Sequence, residues 1–332
     1  MFETSELNIT YFLGAGASAK ALPTIKDTAL STGIATRLNE VANQLINLEY
    51  AEKYKKYVSE LIENLRLISE KTIEFGTPDT YAKFLFLTEK EKLIEFKNAL
   101  SAYFLIEQFL NKKIDNRALV FLTTILERNI FPENIKILSW NYDFQLQLAA
   151  ETFREERFTH TGSSSSYKPS LIGYFPKPGY SGHITIKDIS MVQLNGIAGS
   201  YRYSGMFRSF FERKEERTLD HLLQLLSDES FYEGSLLTFA WEQDIPDIKN
   251  ELIKDIAINT DVLVIIGYSF PFFNRRIDKE IFDAMKDGKL KTIYYQDPFK
   301  SGEFLRNQFE LGDNVVIKDV KEIENYFVPL EL

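Results

Sequence analysis

The rhythm of apolar positions changes several times along the chain. Residues 8–13 form a short apolar run that stops at Gly14-Ala15-Gly16, the pattern of a buried strand entering a glycine turn. Over residues 36–128, Leu, Ile and Tyr recur at three- and four-residue spacing among Lys and Glu, as at Leu61, Leu65 and Ile68, which predicts helix. Gly76-Thr77-Pro78-Asp79 interrupts this stretch, and Asp79 is read as the cap of a helix restarting at 81–87. Residues 135–139 read as a strand closed by Trp140-Asn141-Tyr142-Asp143, and 144–152 as helix. Residues 160–180 are rich in Ser, Gly and Pro and read as a loop, with short strands at 184–186 and 191–194. Helix is expected at 218–226 and 248–258, while 237–240 suits either state.

The last third alternates cleanly. Strands at 262–266, 292–295 and 315–317 are interleaved with helices at 276–285, 302–309 and 320–326. Fully apolar strands alternating with helices predict a parallel sheet covered on both faces. The expected architecture is therefore α/β: a Rossmann-like, doubly wound parallel sheet. It is read as one domain over 1–332, with a helical insertion at 36–128 and a loop-rich small subdomain at 155–205.

Composition narrows the chemistry. With 332 residues, 44% hydrophobic and 26% charged, the chain can bury a sizeable core. A net charge of -9 gives no general attraction for nucleic acid or anionic membrane. The basic clusters at 53–56 and 213–217 are short and read as solvated helix faces. The absence of cysteine excludes disulfides, thiolate zinc sites, iron–sulfur clusters and cysteine nucleophiles. Three widely spaced histidines, His160, His183 and His221, argue against a metal site. No run of about 18 apolar residues announces a membrane span, and residues 1–10 carry no signal-like segment, so a cytoplasmic protein is expected.

Four segments sit where apolar strands end, and strand C-termini line the ligand crevice of a doubly wound sheet. In Gly14-Ala15-Gly16-Ala17-Ser18 the glycines permit close backbone approach to a phosphate, and the start of a following helix would offer N–H groups to an anion. The third glycine of the dinucleotide fingerprint is absent, since position 19 is Ala. The other segments are Ser139-Trp140-Asn141-Tyr142-Asp143, Gly267-Tyr268-Ser269-Phe270 and Gln296-Asp297-Pro298. Each also has a plain structural reading. Asn141 and Asp143 suit a turn, Ser269 a cap, and Gln296 with Asp297 a turn before Pro298. Phe207, Phe210 and Phe211 suit core packing better than a ligand wall.

Taken in order, these segments resemble the Sir2 superfamily, in particular its divergent bacterial branch of NAD-consuming anti-phage defence effectors. Gly14 to Ser18 is similar to the family's phosphate loop, and Ala21-Leu22-Pro23 to the proline-bearing stretch after it. Ser139 to Asp143 is similar to the Thr-x-Asn-x-Asp signature, with Ser for Thr. Ile266 to Phe270 is similar to the Gly-x-Ser loop, and Asn274 with Asp278 fits the divergent branch. Thr77-Pro78-Asp79-Thr80 resembles a segment of that branch's helical insertion.

The resemblance implies an NAD site built from Gly14, Ala15, Gly16, Ser18, Pro23, Gly267 and Ser269, with Gln296 and Asp297 at the adenosine ribose. It implies that Asn141 sits beside the nicotinamide ribose and positions the attacking water, with Asp143 orienting it or the nicotinamide amide. A fixed amide and a carboxylate suit the positive charge that develops as an N-glycosidic bond breaks. The family's catalytic histidine falls at Asn195, within Val192-Gln193-Leu194-Asn195-Gly196. An amide takes no proton near neutral pH, so sirtuin-type deacylation is disfavoured. His160 or His183 is the substitute to consider, though each reads first as a loop histidine.

The implied activity is NAD hydrolysis to nicotinamide and ADP-ribose by a metal-free, regulated defence effector. A partner protein or nucleotide activator and a homo- or hetero-oligomer are expected with it. The alternative is a catalytically silent NAD- or nucleotide-binding module that signals to a partner protein.

Overall fold

The computed structural model describes residues 7–25, 33–128, 130–155, 171–175, 187, 189–203, 206–209, 218–228, 235–242 and 247–332. The readings at His160, His183, 184–186, 213–217, Phe210 and Phe211 lie outside the described residues.

The chain enters its sheet through β1 (Ile9–Leu13), five residues that are all buried. It then builds α1 (Ile34–Ile46), α2 (Lys55–Phe75), α3 (Pro78–Thr88), α4 (Lys90–Leu105) and α5 (Asn116–Ile125). It returns through β2 (Ile135–Ser139), α6 (Gln145–Glu155), β3 (Tyr174–Phe175) and β4 (Met191–Gln193). A separate antiparallel pair, β5 (Ser200–Tyr203) and β6 (Met206–Ser209), follows. The remainder is α7 (Leu219–Leu226), α8 (Asp247–Asn259), β7 (Val262–Ile266), α9 (Arg275–Asp287), β8 (Thr292–Gln296), α10 (Phe304–Gln308) and β9 (Val316–Val320).

Seven strands form one sheet in the order β3-β4-β2-β1-β7-β8-β9, and every pairing is parallel. The architecture is thus α/β and Rossmann-like. β7 is continuously apolar and buried because helices cover both faces of its pair with β1, whereas β9, on the edge, is largely exposed and carries Lys318 and Asp319. β1 is the central reference. From it the chain goes first to β2 on one side, and only after residue 261 to β7 on the other. The winding direction reverses there, so the loops after β1, β2 and β7 diverge and leave a crevice at their C-terminal ends.

Helices α1 to α4 build a core that α7 and Phe144 also enter, while α5 packs on the sheet. Leu38, Val41, Leu45, Leu61, Leu65 and Ile68 interdigitate between α1 and α2, and Leu100 and Phe104 of α4 join them. α4 ends in a π-turn, Ile106–Leu110, which buries Glu107 and Gln108. Arg37 pairs with Glu107 at 2.6 Å, and Gln108 Oε1 accepts from Phe144 N at 2.9 Å. The irregular turn therefore ties the helical stretch to the loop after β2, as such turns often do near functional sites.

Three local expectations are corrected. Residues 320–326 form no helix: Val320 closes β9 and irregular backbone follows. Its carbonyls are taken from outside, those of Glu322 and Asn325 by the Gln296 amide and that of Ile323 by Arg117, so helical self-pairing gives way to tertiary hydrogen bonds. The glycine turn leads into a single 3-10 turn, Ala15–Ser18, and not directly into an α-helix. Finally, Asp79 does not cap α3; Thr77 does, its Oγ1 accepting from Thr80 N at 3.0 Å. Among the described residues, no helix is long and apolar enough to cross a membrane.

Candidate functional site

The floor of the crevice is made by two turns locked into each other. Gly14 N donates to Ile266 O at 3.0 Å and Gly16 N to Gly267 O at 2.9 Å. Gly267 has φ +59°, and a Cβ built there would lie 2.4 Å from Gly16 Cα. A side chain at either position would collide with backbone, so the glycines are required by turn-to-turn contact. This is a different reason from the close phosphate approach expected of them. Behind the turn, Arg117 Nη2 donates to Gly16 O at 3.2 Å and Ala17 O at 3.1 Å, while Tyr326 OH donates to Ala17 O at 2.6 Å. Arg117 is held by Asp115 at 2.6 Å.

The turn after β2 closes onto the turn after β1. Ser18 Oγ donates to Asp143 Oδ2 at 2.7 Å and accepts from Asn141 Nδ2 at 3.3 Å. Asp143 Oδ1 accepts from Gln145 N at 3.1 Å, so this carboxylate opens α6. Burial pushes the Asp143 carboxyl up to about 6 in spite of the Ser18 and Gln145 donors. Asn141 and Asp143 are 9% and 8% exposed, which keeps both out of bulk water yet on the cavity wall.

Asn195 follows β4. Its Nδ2 donates to Tyr142 OH at 3.2 Å, and Tyr142 OH donates to Asp79 Oδ1 at 3.1 Å. Asn195 Oδ1 is buried and has no hydrogen-bond partner among the described residues. The backbone of Asn195 is fixed as well, its carbonyl accepting from Thr238 N at 2.8 Å. Lys249 Nζ donates to Leu194 O, and burial pulls that amine down to about 8. Burial also lifts the Asp79 carboxyl to about 6 against the Tyr142 hydrogen bond.

The opposite wall is aromatic. The rings of Trp140 and Tyr268 stack at 6.1 Å with 13° between planes. Both hold the buried Asp278, Trp140 Nε1 donating to Oδ1 at 3.1 Å and Tyr268 OH to Oδ2 at 2.8 Å. Asn274 Nδ2 completes the set on Tyr268 OH at 3.0 Å. Burial drives the Asp278 carboxyl up to about 8, so it is largely protonated at neutral pH. Phe270 sits at φ +55° and is wedged among Phe12, Phe282, Phe304 and Phe309, which hold the Gly267–Phe270 turn in a conformation a free chain would avoid.

These walls enclose a cavity of about 140 Å³. Gly14, Ala15, Ser18, Pro23, Asn141, Asp143, Asn195, Gly267 and Ser269 all line it. Gly16 lies beneath the lining as part of the interlock. Gln296 and Asp297 are not on it. Gln296 is 3% exposed and grips the C-terminal segment, with Oε1 accepting from Phe327 N at 3.0 Å. Asp297 Oδ1 accepts from Phe299 N and Lys300 N, the turn-forming role weighed for it. Their strand, β8, is one position removed from the crevice between β1 and β7.

Asp79, Leu100 and Phe104, brought in from α3 and α4, line the cavity without having been expected there. The one local signal for Asp79 is Thr77-Pro78 before it, since a capping Thr with Pro at the first helical position leaves the next carboxylate free. Chemically, the site offers two carboxyls titrating near pH 6, amide groups, and an aromatic wall around a volume near that of the roughly 150 Å³ cavity that accepts benzene. No protein-family model matches the chain, and no curated protein matches it.

Proposed function

We propose that this cavity holds the nicotinamide end of NAD and that the chain is a Sir2-like NAD glycohydrolase, releasing nicotinamide and ADP-ribose. The observation that carries the reading is the Ser18–Asp143–Asn141 cluster at the switch point of the sheet, beside a cavity of single-ring size. A six-membered ring fills such a volume, with Trp140, Tyr268 and Phe104 as its apolar surroundings. Asn141 and Asp143 then flank the glycosidic carbon, where an amide oxygen and a carboxylate favour developing positive charge. The remainder of the dinucleotide leaves along the Gly14–Ser18 turn toward Pro23. Gln296 and Asp297 are given no role in holding adenosine, because their side chains are engaged elsewhere.

In this reading the chain is a defence effector whose activity is released by a partner protein, a nucleotide activator or assembly into an oligomer, since an unregulated NAD hydrolase would be toxic to its own cell. The test is nicotinamide release from NAD by purified protein, with and without a candidate activator, beside Asn141→Ala. Turnover is expected in the parent protein and abolished in the variant. Undiminished turnover in Asn141→Ala overturns the assignment.

One observation favours a second reading, a silent NAD-binding module. Asn195 has no proton-accepting chemistry, and its Nδ2 is committed to Tyr142. Calorimetry separates the two: tight NAD binding with no turnover under any activator supports the module. Absence of NAD binding overturns both.

A further inference from the structure

Asp79 brings to the cavity a carboxylate that its own helix does not use. Thr77 caps α3, and Pro78 occupies the first helical position. The carboxylate of Asp79 is turned instead toward Tyr142, across 63 residues of chain. Its Oδ1 accepts from Tyr142 OH, and its Oδ2 accepts no hydrogen bond from the described residues. Asn195 Nδ2 donates to the same Tyr142 hydroxyl, so Asn195, Tyr142 and Asp79 form one chain of hydrogen bonds with the free carboxylate oxygen at its end.

We propose that Asp79 is the general base of NAD hydrolysis at this site, with Asn195 and Tyr142 as positioning residues that aim it. The proposal rests on the hydrolase reading above. In the step it serves, the bond between C1′ of the ribose and the nicotinamide nitrogen breaks, and its electron pair stays on that nitrogen. A water oxygen bonds to C1′, and the proton this water sheds passes to Asp79 Oδ2 and then to solvent. The balance is NAD⁺ plus water giving nicotinamide, ADP-ribose and one proton, with no other reactant.

The surroundings suit the role. A base works best when its pKa lies near the working pH, and burial raises Asp79 to about 6. The groups that interact with it are Tyr142 from the turn after β2 and Tyr268 from the turn after β7, while Asp143 lines the same cavity. Beyond these lie Asp278 behind Tyr268 and Glu242 beyond Tyr142. None is a cation that would hold Asp79 permanently ionised.

The test compares the parent protein, Asp79→Asn, Asp79→Glu and Thr77→Ala in nicotinamide release across pH 5 to 9, with NAD binding followed by calorimetry. General-base removal predicts a fall in kcat of about 10²- to 10⁴-fold in Asp79→Asn, with KM changed little. The acid limb near pH 6 should lose its Asp79 component, and Asp79→Glu should recover part of the rate. Thr77→Ala removes the helix cap but keeps the carboxylate, so it should lower stability and leave kcat close to the parent value. Turnover in Asp79→Asn within about threefold of the parent, with the acid limb intact, overturns the proposal and leaves the hydrolase reading standing. An equal loss of kcat in Thr77→Ala also overturns it, because Asp79 would then act only through its helix. Absence of NAD turnover in the parent protein overturns the hydrolase reading and this role together.

Discussion

Ser18 donates its hydroxyl to Asp143 across 2.7 Å and 125 residues of chain. That bond joins the turn after β1 to the turn after β2, and it supplies the only hydroxyl donor the buried carboxylate has among the described residues. Removing it in Ser18→Ala withdraws a stabiliser of the ionised form, so the Asp143 pKa should rise above its present value of about 6. Carboxyl titration by NMR measures this directly, and an unchanged titration would count against the arrangement. At neutral pH the buried carboxylate loses a partner, so a stability loss of about 1–3 kcal/mol is expected in urea unfolding.

Gly267→Ala tests the interlocked turns. The new Cβ meets Gly16 backbone at 2.4 Å, and the position has φ +59°. Backbone strain of this kind costs about 1–3 kcal/mol before the collision is added, so a loss beyond about 3 kcal/mol is expected. A loss under about 0.5 kcal/mol in denaturant unfolding would mean the turns are free to separate.

Arg117→Met tests the support under the Gly16–Ala17 carbonyls. The substitution leaves Asp115, whose side chain is fully buried, without its guanidinium. Breaking a buried pair on one side typically costs about 3–5 kcal/mol, because the remaining charge stays desolvated. The double variant Arg117→Met with Asp115→Asn should recover much of that loss, and failure to do so would show that the carbonyl contacts dominate.

Asp278 makes stability depend on pH in a direction opposite to that of an ion-paired carboxylate. Its folded pKa is about 8 against an ordinary 3.8, so the folded state binds its proton more tightly than the unfolded state. The contribution is complete below about pH 4 and is lost as pH rises through about 8. Asp79 and Asp143 act in the same direction, but only up to about pH 6. The melting temperature should therefore carry a falling component between pH 4 and 8, and Asp278→Asn should remove the part above pH 6. An identical slope in that variant would show that Asp278 is already ionised in the fold.

Much of the architecture was legible in the sequence because it is locally encoded. β1, β2, β7 and β8 are largely apolar, largely buried runs, followed by Gly14, Trp140-Asn141, Gly267 and Asp297, and each appears within a residue or so of its expected place. Gly14, Ser18, Asn141, Asp143, Gly267 and Ser269 meet because adjacent parallel strands deliver their following turns to one edge of the sheet.

Gln296 shows where the same reasoning stops. It too ends a buried strand, but β8 lies beyond β7, and the C-terminal segment claims its amide. The pattern at 320–326 looks helical until its carbonyls are seen bonded to Gln296 and Arg117. Asp79 reads as a cap until Tyr142 is placed against it. Burial pattern and turn chemistry are properties of neighbours in sequence, and they determined the strands, the order of the motifs and most of the cavity floor. Which polar groups remain free to act is set by hydrogen bonds between residues far apart in the chain, and only the tertiary structure decided that Asp79 faces the cavity and Gln296 does not.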